Sequence, residues 1–106
     1  MINPQAKLPV YVVIDIGEVT NPDDHKANTE RSVATLNASL KDFGGRYVAR
    51  TDQITALDGT ASKRIVIIAF DSVEKAKDWY NSPEQKKVHE IRIKNTKSRA
   101  FIVEGL

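Results

Sequence analysis

The chain contains no cysteine. That excludes a disulfide framework, a thiolate metal site and a cysteine nucleophile. An excess of either charge is also missing: sixteen Lys and Arg stand against fourteen Asp and Glu, a formal net charge of +2. So even a balance gives no reason to expect nucleic acid or an anionic membrane as a partner. No apolar stretch of membrane-spanning length stands near the N-terminus. Leu8–Ile16 is nine residues long and includes Asp15, where a bilayer span needs roughly 20. Gly17-Glu18-Val19-Thr20 follows it and offers no small-residue cleavage site. The stretch therefore reads as a strand, and a cytoplasmic location is expected. G-x-S-x-G, H-E-x-x-H, P-loop and G-x-G-x-x-G patterns are all absent, so no cofactor is expected.

What is present is ordinary globular material. Of 106 residues, 41% are hydrophobic and 28% charged, which excludes a fibre, a low-complexity array or a disordered tail. The length suits one domain. Residues 8–106 are read as that domain, with Met1–Lys7 as a flexible N-terminal arm.

Leu8–Ile16 is rich in β-branched residues, with Pro9 at its start where a ladder donor is least needed. A helix start follows. Asn21 is a good N-cap, Pro22 fits the first helical position, and Asp23 and Asp24 suit the positive end of the dipole. Val33, Leu36, Leu40 and Phe43 form one helical stripe, and Gly44-Gly45 ends it. The first helix is thus predicted over about Pro22–Phe43. Arg46–Arg50 reads as a second strand, with an extension to Leu57 after a bend as the longer form. Arg64–Phe70 is the third strand. Asp71 or Ser72 caps a second helix. Ser82-Pro83-Glu84-Gln85 restarts helix with capping-box spacing, running to about Lys94. Arg99–Val103 is the last strand. The order β-α-β-β-α-α-β predicts an α+β, ferredoxin-like sandwich: a four-stranded antiparallel sheet with its helices on one face.

Strand three is apolar at both parities, Ile65, Ile67 and Ala69 against Val66, Ile68 and Phe70. Strand one behaves similarly. A half-solvated sheet should alternate, so the helix-free face is expected to be an interaction surface. A two-fold homodimer, sheet against sheet, is the expected cover. The alternative cover is the C-terminal residues or the N-terminal arm of the same chain. Parity does not say whether Ile67 or Ile68 faces the partner.

Candidate site residues are few. His89 and Arg92, at i and i+3 on the third helix, pair a general base with a cation that could hold a substrate carboxylate. The plainer reading is a solvated face with Arg92 paired to Glu90 or Glu104. Arg46 and Arg50, four apart on strand two, are expected on one face, as an anion fork or paired with Asp15, Asp52 or Asp58. Tyr80 and Tyr11 carry phenols that could meet a ligand, and Trp79 is expected to pack. His25 with Asp23 and Asp24 has metal-ligand residue types but better suits a helical first turn, so no metal is expected.

Several of these segments, in order, carry a resemblance. Gly44-Gly45-Arg46-Tyr47-Val48-Ala49-Arg50, Asp58-Gly59, Arg64–Ser72, Ala76–Glu84, Arg92 and Val103-Glu104-Gly105 resemble the DUF1330 family over nearly the whole chain. Trp79-Tyr80-Asn81-Ser82-Pro83-Glu84 is the most specific match. The chain departs from the family pattern at Asn21, His25, Asn28, Asp58, Thr60-Ala61-Ser62, Asp71 and Gln85, and the resemblance implies that several of these line a pocket between helices and sheet. The resemblance implies a dimeric α/β barrel of the ferredoxin-like class. It is similar to the wider group that includes antibiotic-biosynthesis monooxygenases and muconolactone-isomerase-like proteins. DUF1330 carries no agreed function. Arg92 matches a family position.

Three functional readings follow. The first is a homodimer binding a small apolar or acidic organic molecule between helices and sheet, with cofactor-free oxygenase- or isomerase-like turnover as its extension. Arg46, Arg50, Tyr80, Tyr11 and Arg92 would orient the ligand, with His89 the base at neutral pH. The second is a non-catalytic homodimer whose apolar face serves assembly only. The third, an RNA-recognition domain of the same strand order, needs aromatics on the central strands. Strand three, Arg64–Phe70, lacks that pattern, so no nucleic-acid partner is expected.

Overall fold

Valine and isoleucine at alternate positions build the central strands, and the caps read from the sequence bound the helices. The structure is a computed structural model that describes residues 8–106, apart from the side chains of residues 31–39. The expected N-terminal arm, Met1–Lys7, lies outside the described residues. The elements are β1 (Val10–Val19), α1 (Pro22–Asp42), β2 (Arg46–Thr51), β3 (Arg64–Phe70), α2 (Val73–Tyr80), α3 (Pro83–Asn95) and β4 (Thr96–Glu104). This is the predicted order. The strands form one antiparallel sheet in the order β2-β3-β1-β4, the α+β arrangement of a ferredoxin-like fold.

Local chemistry sets the boundaries. The Asn21 side chain accepts from the Asp24 backbone N–H, with Pro22 behind it. Ser72 and Ser82 cap α2 and α3 in the same way, through Lys75 and Gln85 N–H. Gly44 takes φ +72° after α1, the left-handed turn expected there. Gly45 is needed for space: a Cβ there would lie 2.7 Å from both Leu40 Cδ1 and Phe70 Cε1. Gly45→Ala is therefore expected to cost about 1–3 kcal/mol by overpacking, measured as a lower denaturant midpoint.

Three expectations are corrected. The extension of β2 to Leu57 is not formed: the strand ends at Thr51 and Leu57 is almost fully exposed. β1 and β4 are longer than the sequence suggested, because a register shift between Ile16 and Glu18 lets them pair on to Val19 and Thr96. The capping box at Ser82 is only half made. Gln85 N–H meets Ser82 Oγ at 3.4 Å, but Ser82 N–H donates to the Trp79 carbonyl at 3.0 Å, not to the Gln85 side chain.

The core lies between sheet and helices. Val10, Val12, Ile14 and Ile16 of β1 pack with Ile68 and Phe70 of β3, Leu40, Ala76, Trp79 and Val88. Of the predicted α1 stripe, Leu40 is buried and Phe43 partly so. Val33 and Leu36 lie outside the described side chains.

Cross-strand pairing settles the parity of strand three. Ile68 sits opposite Val12 on the helix side, and Ile67 sits opposite Val13 on the other. Tyr11, Val13, Ile65, Ile67, Phe101 and Val103 thus share the helix-free face. Phe101 and Val103 remain 39% and 40% exposed. The described C-terminal residues do not cover them: Gly105 N–H bonds the Pro9 carbonyl, and Leu106 is fully exposed. The chain spans only 17 Å on its shortest axis, the depth of one sheet and one helical layer.

Candidate functional site

α3 crosses the sheet with its C-terminal end tied to the start of α1. The Asn95 carbonyl accepts from Thr20 N–H at 2.7 Å and from Asn21 N–H at 3.3 Å. Asn28 on α1 donates to the Val88 carbonyl at 3.3 Å. These contacts fix α1 against α3 and leave a cavity of about 60 Å³ between them and the sheet. Its floor is apolar: Ile14, Ile16, Val66, Ile68, Trp79 and Val88. Its wall is basic: Arg50, Arg64, Arg92 and His25.

Among the described residues no carboxylate lines this cavity, and none of the three arginines makes an ion pair. The paired cations are elsewhere, Lys75 with Asp71, Lys97 with Glu18, and Arg99 with Asp15. Arg50 lies instead over the Tyr47 ring, 4.5 Å from its centroid.

Polar groups are also stranded here. Trp79 and Gln85 have no exposed surface and Arg92 only 5%. Trp79 Nε1, both amide atoms of Gln85, and Arg92 Nε have no hydrogen-bond partner among the described residues. Each unsatisfied buried group costs about 1–3 kcal/mol. Four such atoms belong to residues that line this one cavity.

Arg92 joins the cavity to a second cluster. Its Nη2 donates to Tyr80 Oη at 3.0 Å and to His89 Nδ1 at 2.9 Å. Tyr80 Oη and His89 Nδ1 are themselves 2.9 Å apart. Because Arg92 only donates, His89 Nδ1 is an acceptor and the ring proton sits on Nε2. The expected pairing of Arg92 with Glu90 or Glu104 is not formed. A chain of rings, Phe70, Trp79, Tyr80 and His89, links the core to this cluster at centroid distances of 5.5, 6.3 and 5.4 Å.

Both imidazoles are held below their ordinary pKa of 6.5. For His25 burial is the larger cause and the Arg64 charge the second. For His89 burial leads, Arg92 adds to it and Glu90 opposes. Just below pH 6.5 the unfolded chain therefore binds more protons than the folded one. The stability contributed by the neutral rings is complete above that pH and is lost as pH falls through the folded values. Melting temperature is expected to fall as the pH drops below about 6.5. The drop should flatten in a His25→Asn/His89→Asn double variant, whose amide oxygens can stand in for an accepting ring nitrogen.

The structure separates the residues that the sequence grouped. Arg50 and Arg92 line the cavity, and Tyr80 and His89 reach it only through Arg92. Arg46 and Arg50 do not share a face, contrary to their spacing. The pairing shifts between Tyr47 and Ala49, so Arg46 sits opposite Ala69 and Arg50 opposite Val66. One extra residue at the bulge reverses the parity. Arg46 and Tyr11 therefore stand on the helix-free face, away from the cavity. Asp15, a suggested partner for those arginines, is bound by Arg99. Sequence reasoning missed Arg64 and Tyr47 as lining residues. His25, Asn28 and Gln85, three of the departures from the family pattern, do line the cavity, though as individual residues Gln85 was read as a cap and His25 as a metal-ligand type. Arg64 carried one signal: a cation at the end of an otherwise apolar strand. Among the described residues no three His, Asp or Glu side chains gather as a metal site, and no helix is long and apolar enough to cross a membrane.

No protein of curated function matches this chain in sequence. Solved structures do match its fold. The protein of unknown function RPA0582 from Rhodopseudomonas palustris superposes with a TM-score of 0.70 at 14% identity, covering 94% of this chain and 84% of that one. A dimeric ferredoxin-like protein of unknown function from Thermobifida fusca gives 0.66 at 11% identity, with 92% of each chain covered. SnoaB, a cofactor-independent oxygenase from Streptomyces nogalater, gives 0.61 at 12% identity, with 91% of each covered. At these identities the likeness shows the fold. The sequence match is more specific and spans residues 9–106: the chain belongs to the DUF1330 family, a domain of unknown function.

Proposed function

We propose that this protein is a homodimer that binds a small organic acid in the cavity between its helices and sheet. One observation carries the reading. Arg50, Arg64 and Arg92, none ion-paired among the described residues, surround a cavity with an apolar floor and no carboxylate among its described residues. An apolar-floored hollow walled by cations favours an anion, and guanidinium forks match a carboxylate. The floor would take the short carbon chain. At about 60 Å³ the cavity is far below the roughly 300–1,000 Å³ of drug-sized pockets, so the acid is one of few carbons.

The partner is a second copy of this chain. Supporting this are the apolar helix-free face and the dimeric state of the Thermobifida fusca neighbour. Packing the two sheets face to face would close the barrel that the family resemblance implies. The cytoplasm remains the proposed location.

The proposal covers binding. His89 does not line the cavity, and its Nδ1 is occupied, so its role is to hold Arg92. An oxygenase- or isomerase-like step would find its neutral base in His25, which is on the cavity wall. The assembly-only reading draws on the small cavity volume, and the stranded polar groups of Trp79, Gln85 and Arg92 weigh against it. The test is a titration with propanoate. Trp79 is the chain's single tryptophan and its ring is part of the cavity floor. A saturable change in its fluorescence supports the reading, and no change up to tens of millimolar, with propanoate or with its hydroxylated analogue lactate, removes it.

A further inference from the structure

We propose that Gln85 selects the ligand of this cavity and that the ligand is a small hydroxy acid. This rests on the acid-binding reading above and adds the second group that the acid carries.

The argument is a count of donors and acceptors. The cavity lining holds three kinds of N–H without a partner among the described residues: the Trp79 indole, Arg92 Nε and the Gln85 amide. It holds one unpartnered acceptor of particular note, Gln85 Oε1. A carboxylate only accepts, so it can satisfy N–H groups but not Gln85 Oε1. A ketone has the same limit. A hydroxyl supplies both a proton and lone pairs. It can donate to Gln85 Oε1 while accepting from an amide or indole N–H. This does not depend on which way the amide is turned, because both of its atoms lack a partner among the described residues.

The local fold explains why Gln85 is free to do this. It stands three residues after the N-cap Ser82, where a glutamine side chain ordinarily turns back to the cap's N–H. That N–H is taken by the Trp79 carbonyl at 3.0 Å. Trp79, Ser82 and Gln85 are thereby held together, and Gln85 lines the cavity with its amide unpartnered among the described residues and without exposed surface. On the far side, Tyr80 and His89 hold Arg92 Nη2, so the guanidinium is fixed while its Nε remains unsatisfied. An unsubstituted acid in this site leaves Gln85 Oε1 buried and unpaired. That is the arrangement in which a polar site rejects an analogue lacking the hydroxyl.

The test uses the full chain labelled with nitrogen-15, in which the single tryptophan gives one indole N–H signal. Lactate, 3-hydroxypropanoate, pyruvate and propanoate are titrated separately. A hydroxy acid is expected to saturate at a concentration at least about tenfold lower than propanoate, with pyruvate between them. Gln85→Leu should bring all four within about twofold of one another and raise the melting temperature, since it removes stranded polar atoms. Gln85→Met serves as the second variant if the leucine protein does not fold. Equal affinity of the native protein for hydroxy acids and propanoate overturns this inference and leaves acid binding standing. So does a preference that survives removal of Gln85. Binding of none of the four acids removes acid binding itself, and this inference with it.

Discussion

Ile67→Glu is expected to leave a folded monomer. Ile67 lies on the helix-free face opposite Val13 and beside Ala49, partly exposed in the single chain. A glutamate there meets water in the monomer at little cost. In a sheet-to-sheet dimer it would be buried against apolar neighbours and, across the two-fold axis, set near its own copy. The burden is about 4 kcal/mol or more, which raises the dimer dissociation constant by roughly a thousandfold or more. The adjacent residue gives the control. Ile68 is 1% exposed and packs in the core under the helices, so Ile68→Glu should unfold the chain. Sedimentation velocity at micromolar concentration, with circular dichroism beside it, separates the two outcomes. A dimer that persists in Ile67→Glu would mean that the chains meet elsewhere.

Arg92→Met is expected to abolish acid binding while the fold remains. The variant keeps a long apolar stem in a buried position and removes the charge. Tyr80 and His89 are not orphaned by it, because their side chains are already 2.9 Å apart and can bond each other. Loss of a buried charge-assisted contact costs roughly 2–5 kcal/mol, a weakening of about 30-fold to several thousandfold. The pKa of His89 should rise in the same variant, since the Arg92 charge is one of the causes that lowers it. Propanoate titration and the pH dependence of the His89 ring signals measure the two effects. Undiminished affinity, with a large fall in melting temperature, would make Arg92 a structural residue.

Element order, caps and core strands were readable because each rests on local chemistry. Asn21-Pro22, Ser72 and Ser82-Pro83 act within a turn of their own position. The two apolar faces of strand three were readable too, since alternation needs only a window of a few residues. The site was harder for a specific reason. A two-residue period predicts which side chains share a face only while pairing stays in step. The bulge between Tyr47 and Ala49 breaks that step, parting Arg46 from Arg50 and placing Tyr47 and Arg50 on one side. Arg92, Tyr80 and His89 were picked out singly, but their meeting depends on the angle between α2 and α3. Gln85 stood out only as a departure from the family pattern: its spacing from Ser82 reads as a cap, and the diverted Ser82 N–H shows that its amide does not close the capping box.

The most direct measurement is native mass spectrometry of the gently purified protein, with and without millimolar short-chain acid. The expected species is two chains of 11.8 kDa carrying one small anion each. A monomer would contradict the sheet-to-sheet dimer, and a species that stays bare with the acid in excess would contradict the reading of the cavity and its three arginines.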